Sequence, residues 1–84
     1  MVVFTKHAEE KFAILKRHRF PVKREQVLRA LEKPDCIDRS RLPLLIAQIA
    51  IDDAHVLRVV YKQEGTAKKV ITFYPGRSTQ YGSE

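Results

Sequence analysis

The chain has 84 residues, of which 44% are hydrophobic and 31% are charged. This length fits one domain, and the composition is typical of a soluble globular protein and excludes a disordered one. The longest apolar run is far shorter than a membrane span, and residues 1–4 lack the basic start and apolar length of a signal peptide. We therefore predict a single cytoplasmic domain over residues 1–84, with no membrane association. The single cysteine, Cys36, excludes an internal disulfide and suits a reducing compartment.

Positive charge is concentrated in the first half of the chain. The net charge is +6, and residues 1–42 hold 11 basic and 6 acidic side chains, against 5 and 4 in residues 43–84. A basic face attracts polyanions, most often nucleic acid, and also acidic proteins. We predict a nucleic-acid-binding surface formed by Lys16, Arg17, Arg19, Lys23, Arg24 and Lys62. A solvated helix surface would account for the same charge, so both interpretations stay open.

The pattern of the first half of the sequence predicts one short strand and two helices. Residues 1–4 are apolar and β-branched, which indicates an edge strand of a larger sheet. Thr5 is a suitable N-cap for a helix over residues 6–18, which carries one apolar stripe. A second helix is predicted over residues 24–33, and prolines follow both helices and stop them. Residues 36–40 are predicted to be a further short strand or an extended connection.

Residues 44–74 predict a β-meander. Three apolar, β-branched runs, at 44–51, 56–62 and 69–74, are separated by short turn-forming clusters. One face of these strands is almost wholly apolar, so we expect the helices to pack there, and the fold class is α+β. The other face mixes apolar residues with polar ones, including Arg58. An open face of this kind can bind a ligand, although an arginine lying over apolar neighbours explains Arg58 equally well.

Alternation along the third strand assigns its side chains to two faces. Val70, Thr72 and Tyr74 are expected to share one face, and the residues between them the other. The Pro75-Gly76 pair that follows is a turn signal. We therefore expect Arg77 to lie in a loop just beyond the strand, where function is often found.

Familiar enzyme signatures are absent from the sequence. The three glycines are scattered and form no phosphate-binding loop, and no two histidines have metal-ligand spacing. Cys36 together with the three histidines is a weak zinc hypothesis, and no local pattern supports a nucleophilic pair with one of them. We predict instead that Cys36 is a small buried hydrophobic residue. No cofactor and no metal site is predicted.

Metal-free cleavage of RNA is one chemistry that the side chains can support. RNA can be cleaved through its own 2′-hydroxyl group, given a base, a group that stabilises the charged phosphorane and an acid. Histidine suits the proton transfers and arginine suits the phosphate. The candidate catalytic residues are His7, Arg58, Arg77 and Tyr81, and the sequence does not show whether they meet in space.

Several short motifs resemble a known family. They are Phe4-Thr5-Lys6-His7-Ala8, then residues 27–35 (VLRALEKPD), residues 57–61 (LRVVY) and residues 70–75 (VITFYP). Together they resemble a family of small bacterial and archaeal domains that opens with an F-T-x-H-A motif and is similar to the RelE/BrnT-type toxins of toxin–antitoxin modules. The similarity covers about residues 2–77.

The resemblance implies a RelE-like α+β fold with a short first strand, two helices and a three- to four-stranded antiparallel meander. It also implies endoribonuclease activity in active members, acting on RNA that includes ribosome-associated mRNA, and an acidic antitoxin as protein partner. His7 matches the opening motif, Arg58 the mid-strand arginine and Arg77 the basic position after the last strand, while Tyr81 is a looser match.

Two other functions stay open. Few basic residues follow Tyr74, unlike in the toxins, which favours a non-catalytic module that binds nucleic acid or an acidic protein. The third hypothesis is a structural homodimer formed through an exposed sheet edge.

Overall fold

A computed structural model describes residues 1–79. It confirms the α+β class, with two helices and one five-stranded sheet. In chain order the elements are β1 (Val2–Phe4), α1 (Lys6–Arg17), α2 (Arg24–Glu32), β2 (Cys36–Asp38), β3 (Leu44–Ala50), β4 (His55–Glu64) and β5 (Ala67–Arg77).

The sheet has the strand order β1-β5-β4-β3-β2. Strands β2 to β5 form an antiparallel meander, as predicted, and β1 joins the far edge in parallel to β5. A parallel neighbour needs a long crossover connection, which α1, α2 and the meander supply here. The first and last strands of the described chain are therefore neighbours.

Both helices pack on one face of the sheet. Thr5 begins α1, because its side-chain oxygen accepts a hydrogen bond from the backbone N–H of Ala8. The same hydroxyl donates to the backbone carbonyl of Ile71 (3.2 Å), which ties the start of the helix to β5. Apolar side chains of the two helices and the sheet form a single buried core, made of Ala8, Leu15, Val22, Val27, Ala30, Leu31, Ala47, Ile49, Leu57, Val59, Tyr61, Val70 and Phe73.

A β-bulge corrects the predicted alternation in the last strand. Tyr61 pairs with Val70 and Val60 with Thr72, so Ile71 has no partner on β4. An extra residue shifts every later side chain to the opposite face. Val70 and Phe73 therefore both lie in the core beneath the helices, although they are three residues apart. Thr72 pairs with Val60 on the opposite face, which we call the open face.

The predicted turn at Pro75-Gly76 is wrong, because β5 continues through both residues to Arg77. Pro75 lies opposite Leu57 and Arg77 opposite His55. Proline has no N–H and is tolerated on a strand edge. Among the described residues, β1 pairs with β5 only from Lys68 to Val70, so Pro75 lies on an edge where no amide donor is needed.

Two further observations concern the surface. Cys36 is exposed, so the prediction of a buried residue is wrong. It lies on the three-residue edge strand β2 opposite Gln48, a position that no helix covers. No helix within residues 1–79 has the length and apolar character needed to cross a membrane.

Candidate functional site

The open face is centred on Arg58, which is only 7% exposed. Among the described residues, its guanidinium group donates side-chain hydrogen bonds to residues of three different strands. It donates from Nη1 to Gln48 Oε1 (2.7 Å), from Nη2 to Asp38 Oδ2 (3.0 Å) and from Nε to the Tyr74 hydroxyl (3.1 Å). Gln48 and Tyr74 are the direct cross-strand neighbours of Arg58, so the register of the meander builds this cluster. We call these four residues the Arg58 cluster.

Asp38 supplies the negative charge of the Arg58 cluster. The hydroxyl and backbone N–H of Ser40 donate to its carboxylate (2.6 and 2.8 Å), and Arg58 contributes a charged hydrogen bond. Together these donors lower the pKa of Asp38 to about 2. The carboxylate is therefore ionised at neutral pH and balances the charge of Arg58. A phosphate group could bind Arg58 only by competing with Asp38.

Asp38 should make the stability of the domain depend on pH. Its pKa lies at about 2 in the folded chain, below the ordinary value of 3.8, so its contribution is present above about pH 4 and is lost as the pH falls toward 2. We expect Asp38→Asn to be less stable than the wild type at neutral pH and the difference to shrink between about pH 4 and pH 2. Urea unfolding between about pH 4 and pH 2 measures the difference in the free energy of unfolding. A difference that stays constant across this range would contradict the lowered pKa of Asp38. Asp35→Asn is the control.

His7 lies at the margin of the same face. It is in the first turn of α1, and its Nε2 atom is 3.1 Å from the Thr72 hydroxyl. Thr72 and Tyr74 are two residues apart on one face of β5, which separates them by roughly 7 Å. A polar row therefore runs from His7 through Thr72 and Tyr74 to Arg58.

Arg77 does not join this row. It pairs with His55, and the imidazole ring of His55 packs against Phe20 on the helix side (5.0 Å between ring centroids). The register thus places Arg58 and Arg77 on opposite faces of the sheet. Tyr81 lies outside the described residues. Of the four candidate catalytic residues, the structure brings His7 and Arg58 to one face and leaves Arg77 elsewhere.

The predicted basic surface is divided among separate places. Lys16 and Arg17 end α1 and Arg19 follows them, all three exposed. The contact of Phe20 with His55 places this end of α1 beside the β3–β4 turn, where Arg77 also lies. Among residues 1–79, none of these four basic side chains has an acidic side chain within ion-pair distance. We call Lys16, Arg17, Arg19 and Arg77 the basic end.

The other predicted basic residues are engaged or distant. Arg24 forms an ion pair with Glu9, and its guanidinium lies 4.5 Å from the Phe4 ring centroid and 5.1 Å from that of Phe12. It therefore ties the two helices to β1 rather than facing a ligand. Lys23 lines a groove that also includes Met1 and Lys68. Lys62 is at the opposite end of β4 from His55, 3.9 Å from Glu64.

Sequence reasoning missed the partners of Arg58. Asp38, Gln48 and Tyr74 come from three different strands, and only the pairing register brings them together. A usable signal was present, because Gln48 is the single polar residue within the apolar run of β3. A buried polar side chain needs a partner, and the central arginine of the adjacent strand could have been proposed.

Comparison with known proteins leaves the resemblance untested. No protein-family model, no curated protein and no solved structure matches the chain. The similarity to RelE/BrnT-type toxins therefore stays a prediction. Among residues 1–79, no group of three or more histidine, cysteine or acidic side chains is arranged to hold a metal ion.

Proposed function

We propose that this chain is an RNA-binding protein of the RelE/BrnT-like type, and that the basic end is the surface that binds RNA. The observation that supports the proposal is the contact of Phe20 with His55, which brings the end of α1, with its exposed basic residues, toward the turn beside Arg77. Four exposed cations without acidic partners among the described residues would repel one another in the free protein. A phosphate backbone would relieve that repulsion and release its own counterions.

The resemblance extends the proposal to metal-independent endoribonuclease activity and to an acidic antitoxin partner. The hydrogen bond between His7 and Thr72 supports a role for His7, because it holds an imidazole at the edge of the open face. An imidazole is a suitable side chain for proton transfer in a nuclease. Arg58 lies further along the same row, and the proposal assigns it to the phosphate.

A non-catalytic binding module is the second candidate function. The Arg58 cluster favours it, because Arg58 is buried and already paired with the ionised Asp38. Such an arginine stabilises the sheet and is poorly placed to receive a phosphate. In this case the basic end would bind RNA without cleavage, and the open face would have a structural role.

RNA binding can be tested by removing the charge of the basic end. We expect the triple variant Lys16→Gln, Arg17→Gln and Arg19→Gln to bind single-stranded RNA about tenfold more weakly and to lower the slope of log affinity against log salt by about 2. Fluorescence anisotropy at several salt concentrations measures both. The matched control removes three charges elsewhere, with Arg39→Gln, Arg41→Gln and Lys69→Gln. Equal losses of RNA affinity in the two triple variants would contradict the proposal that the basic end is a defined RNA-binding surface.

Cleavage is tested separately with the same RNA. Wild type is compared with His7→Ala, Arg58→Ala and Arg77→Ala, in the presence of a chelator. Absence of cleavage by the pure wild-type protein, with and without ribosomes, would refute the nuclease part and leave the binding part standing. Binding that persists in all three variants without any cleavage would favour the non-catalytic candidate.

A further inference from the structure

We infer that His55 and Arg77 form a binding pocket for a phosphate group, with Asp52 as the residue that positions the imidazole. This inference rests on the proposed function and deepens it, because it assigns one phosphate of the ligand to a defined place beside the basic end. The pocket is a shallow depression at the β3–β4 turn, on the side of the sheet opposite the Arg58 cluster. It is lined by Asp53, Ala54, His55, Arg77, Ser78 and Thr79.

The turn between β3 and β4 fixes the imidazole of His55. Its Nδ1 atom lies 3.0 and 3.1 Å from the two carboxylate oxygens of Asp52. The Asp52 carboxylate also accepts the backbone N–H of Ala54 (2.7 Å), and these two hydrogen bonds lower its pKa. An ionised carboxylate keeps the proton of the imidazole on Nδ1. The Nε2 atom is therefore the position left for a ligand.

The end of β5 supplies the second cation. Arg77 is directly opposite His55 in the ladder, and side chains of such pairs have Cβ atoms about 5 Å apart. The chain after Arg77 is held to the turn, since Ser78 donates from its backbone N–H to the Ala54 carbonyl (2.9 Å) and from its hydroxyl to the Asp53 carbonyl (3.3 Å). The His55 imidazole and the Arg77 guanidinium thus both line the depression. The hydrogen bonds of Ser78 fix the chain that forms its wall.

Phosphate is the ligand that suits these donors. A guanidinium group binds phosphate oxygens with two parallel N–H donors, and a protonated imidazole adds a third donor from Nε2. The charged groups around the imidazole are Asp52 and Asp53 on the turn, Arg77 on β5, and His18 and Arg19 just before Phe20. Two aspartates oppose the cations, so binding of an anion depends on donation from both Arg77 and the imidazolium form of His55.

The position of Arg19, which directly precedes Phe20 and its contact with His55, favours a phosphate of RNA over a free metabolite. The pocket could hold either a diester of the backbone or a terminal monoester, because both present the same oxygens. Dimethyl phosphate represents the diester and methyl phosphate the monoester.

NMR titration of the folded full chain tests the inference. We expect both phosphates to shift the His55 imidazole and Ser78 amide signals. Arg77→Gln should weaken binding about fivefold or more. His55→Ala, which removes the Nε2 donor, should also weaken the binding of both phosphates. Arg41→Gln, an arginine at the other end of the sheet, should leave binding unchanged.

The triple variant of Lys16, Arg17 and Arg19 separates this pocket from the proposed function. If it loses RNA affinity and still binds dimethyl phosphate at His55, both proposals stand. If wild type binds RNA but neither phosphate shifts His55, the pocket is refuted and the RNA proposal is not. If wild type binds no RNA and the phosphates still shift His55, the pocket stands as a phosphate site and the RNA proposal fails. An unchanged phosphate affinity in Arg77→Gln would also refute the pocket.

Discussion

Arg58→Ala is expected to lower the free energy of unfolding by about 3 kcal/mol, because it removes the hydrogen bonds to Gln48 and Tyr74 and the charge partner of Asp38. Gln48, which is 3% exposed, would lose the guanidinium donor bonded to its side-chain oxygen. Chemical unfolding at neutral pH measures the effect. If Arg58 is structural, the variant should bind RNA with wild-type affinity once the unfolded fraction is taken into account.

Lys62→Ala is the matched control for this variant. Lys62 is on the same strand and the same face as Arg58, four residues further on, and is exposed. Its removal should change the free energy of unfolding by less than about 0.5 kcal/mol. A loss below about 1 kcal/mol in Arg58→Ala would contradict a structural role for the cluster. Loss of RNA cleavage in a variant that stays folded would place Arg58 in the catalytic proposal instead.

Phe73→Ala is expected to have the largest effect on stability, about 4 kcal/mol. Phe73 is fully buried, and its ring lies 4.7 Å from that of Phe12, so truncation leaves a cavity between α1 and β5. A domain of this size has a small core and little stability to spare. Thermal and urea unfolding should show a much lower midpoint with a retained cooperative transition.

Val3→Ala serves as the comparison for the core variant. This substitution also removes apolar atoms from the sheet, but Val3 lies on the edge strand β1 and is 42% exposed. Its substitution should cost less than about 1 kcal/mol. Similar losses in Phe73→Ala and Val3→Ala would mean that the ring of Phe73 is not packed as the structure describes.

The elements of the fold were largely predictable, because their signals are local. Thr5 and the prolines mark helix ends, and β-branched runs mark strands. The bulge at Ile71 was not predictable, since the residues around it alternate as they would in a regular strand. It is a tertiary feature, because it lets both Val70 and Phe73 lie in the core. The strand through Pro75 was missed for a similar reason, since only the short reach of β1 makes that edge tolerant of proline.

The candidate site depended on register, which the sequence did not reveal. The position of Arg58 in an apolar strand marks it as a candidate, but its described partners come from three other strands. The Pro-Gly signal predicts a loop for Arg77, whereas the extension of β5 puts it opposite His55. The short spacing between Asp52 and His55 was a local signal that could have been recognised, because an aspartate can reach a histidine three residues later across a turn.

The pairing of β1 with β5 has a consequence for synthesis on the ribosome. The backbone of β1 finds its partners at Lys68, Lys69 and Val70, so these hydrogen bonds form only after β5 has been made. Until then the apolar stripes of both helices lack much of the sheet that covers them. Closure of this domain is therefore a long-range event, and the nascent chain is exposed to chaperones and to self-association until β5 has emerged.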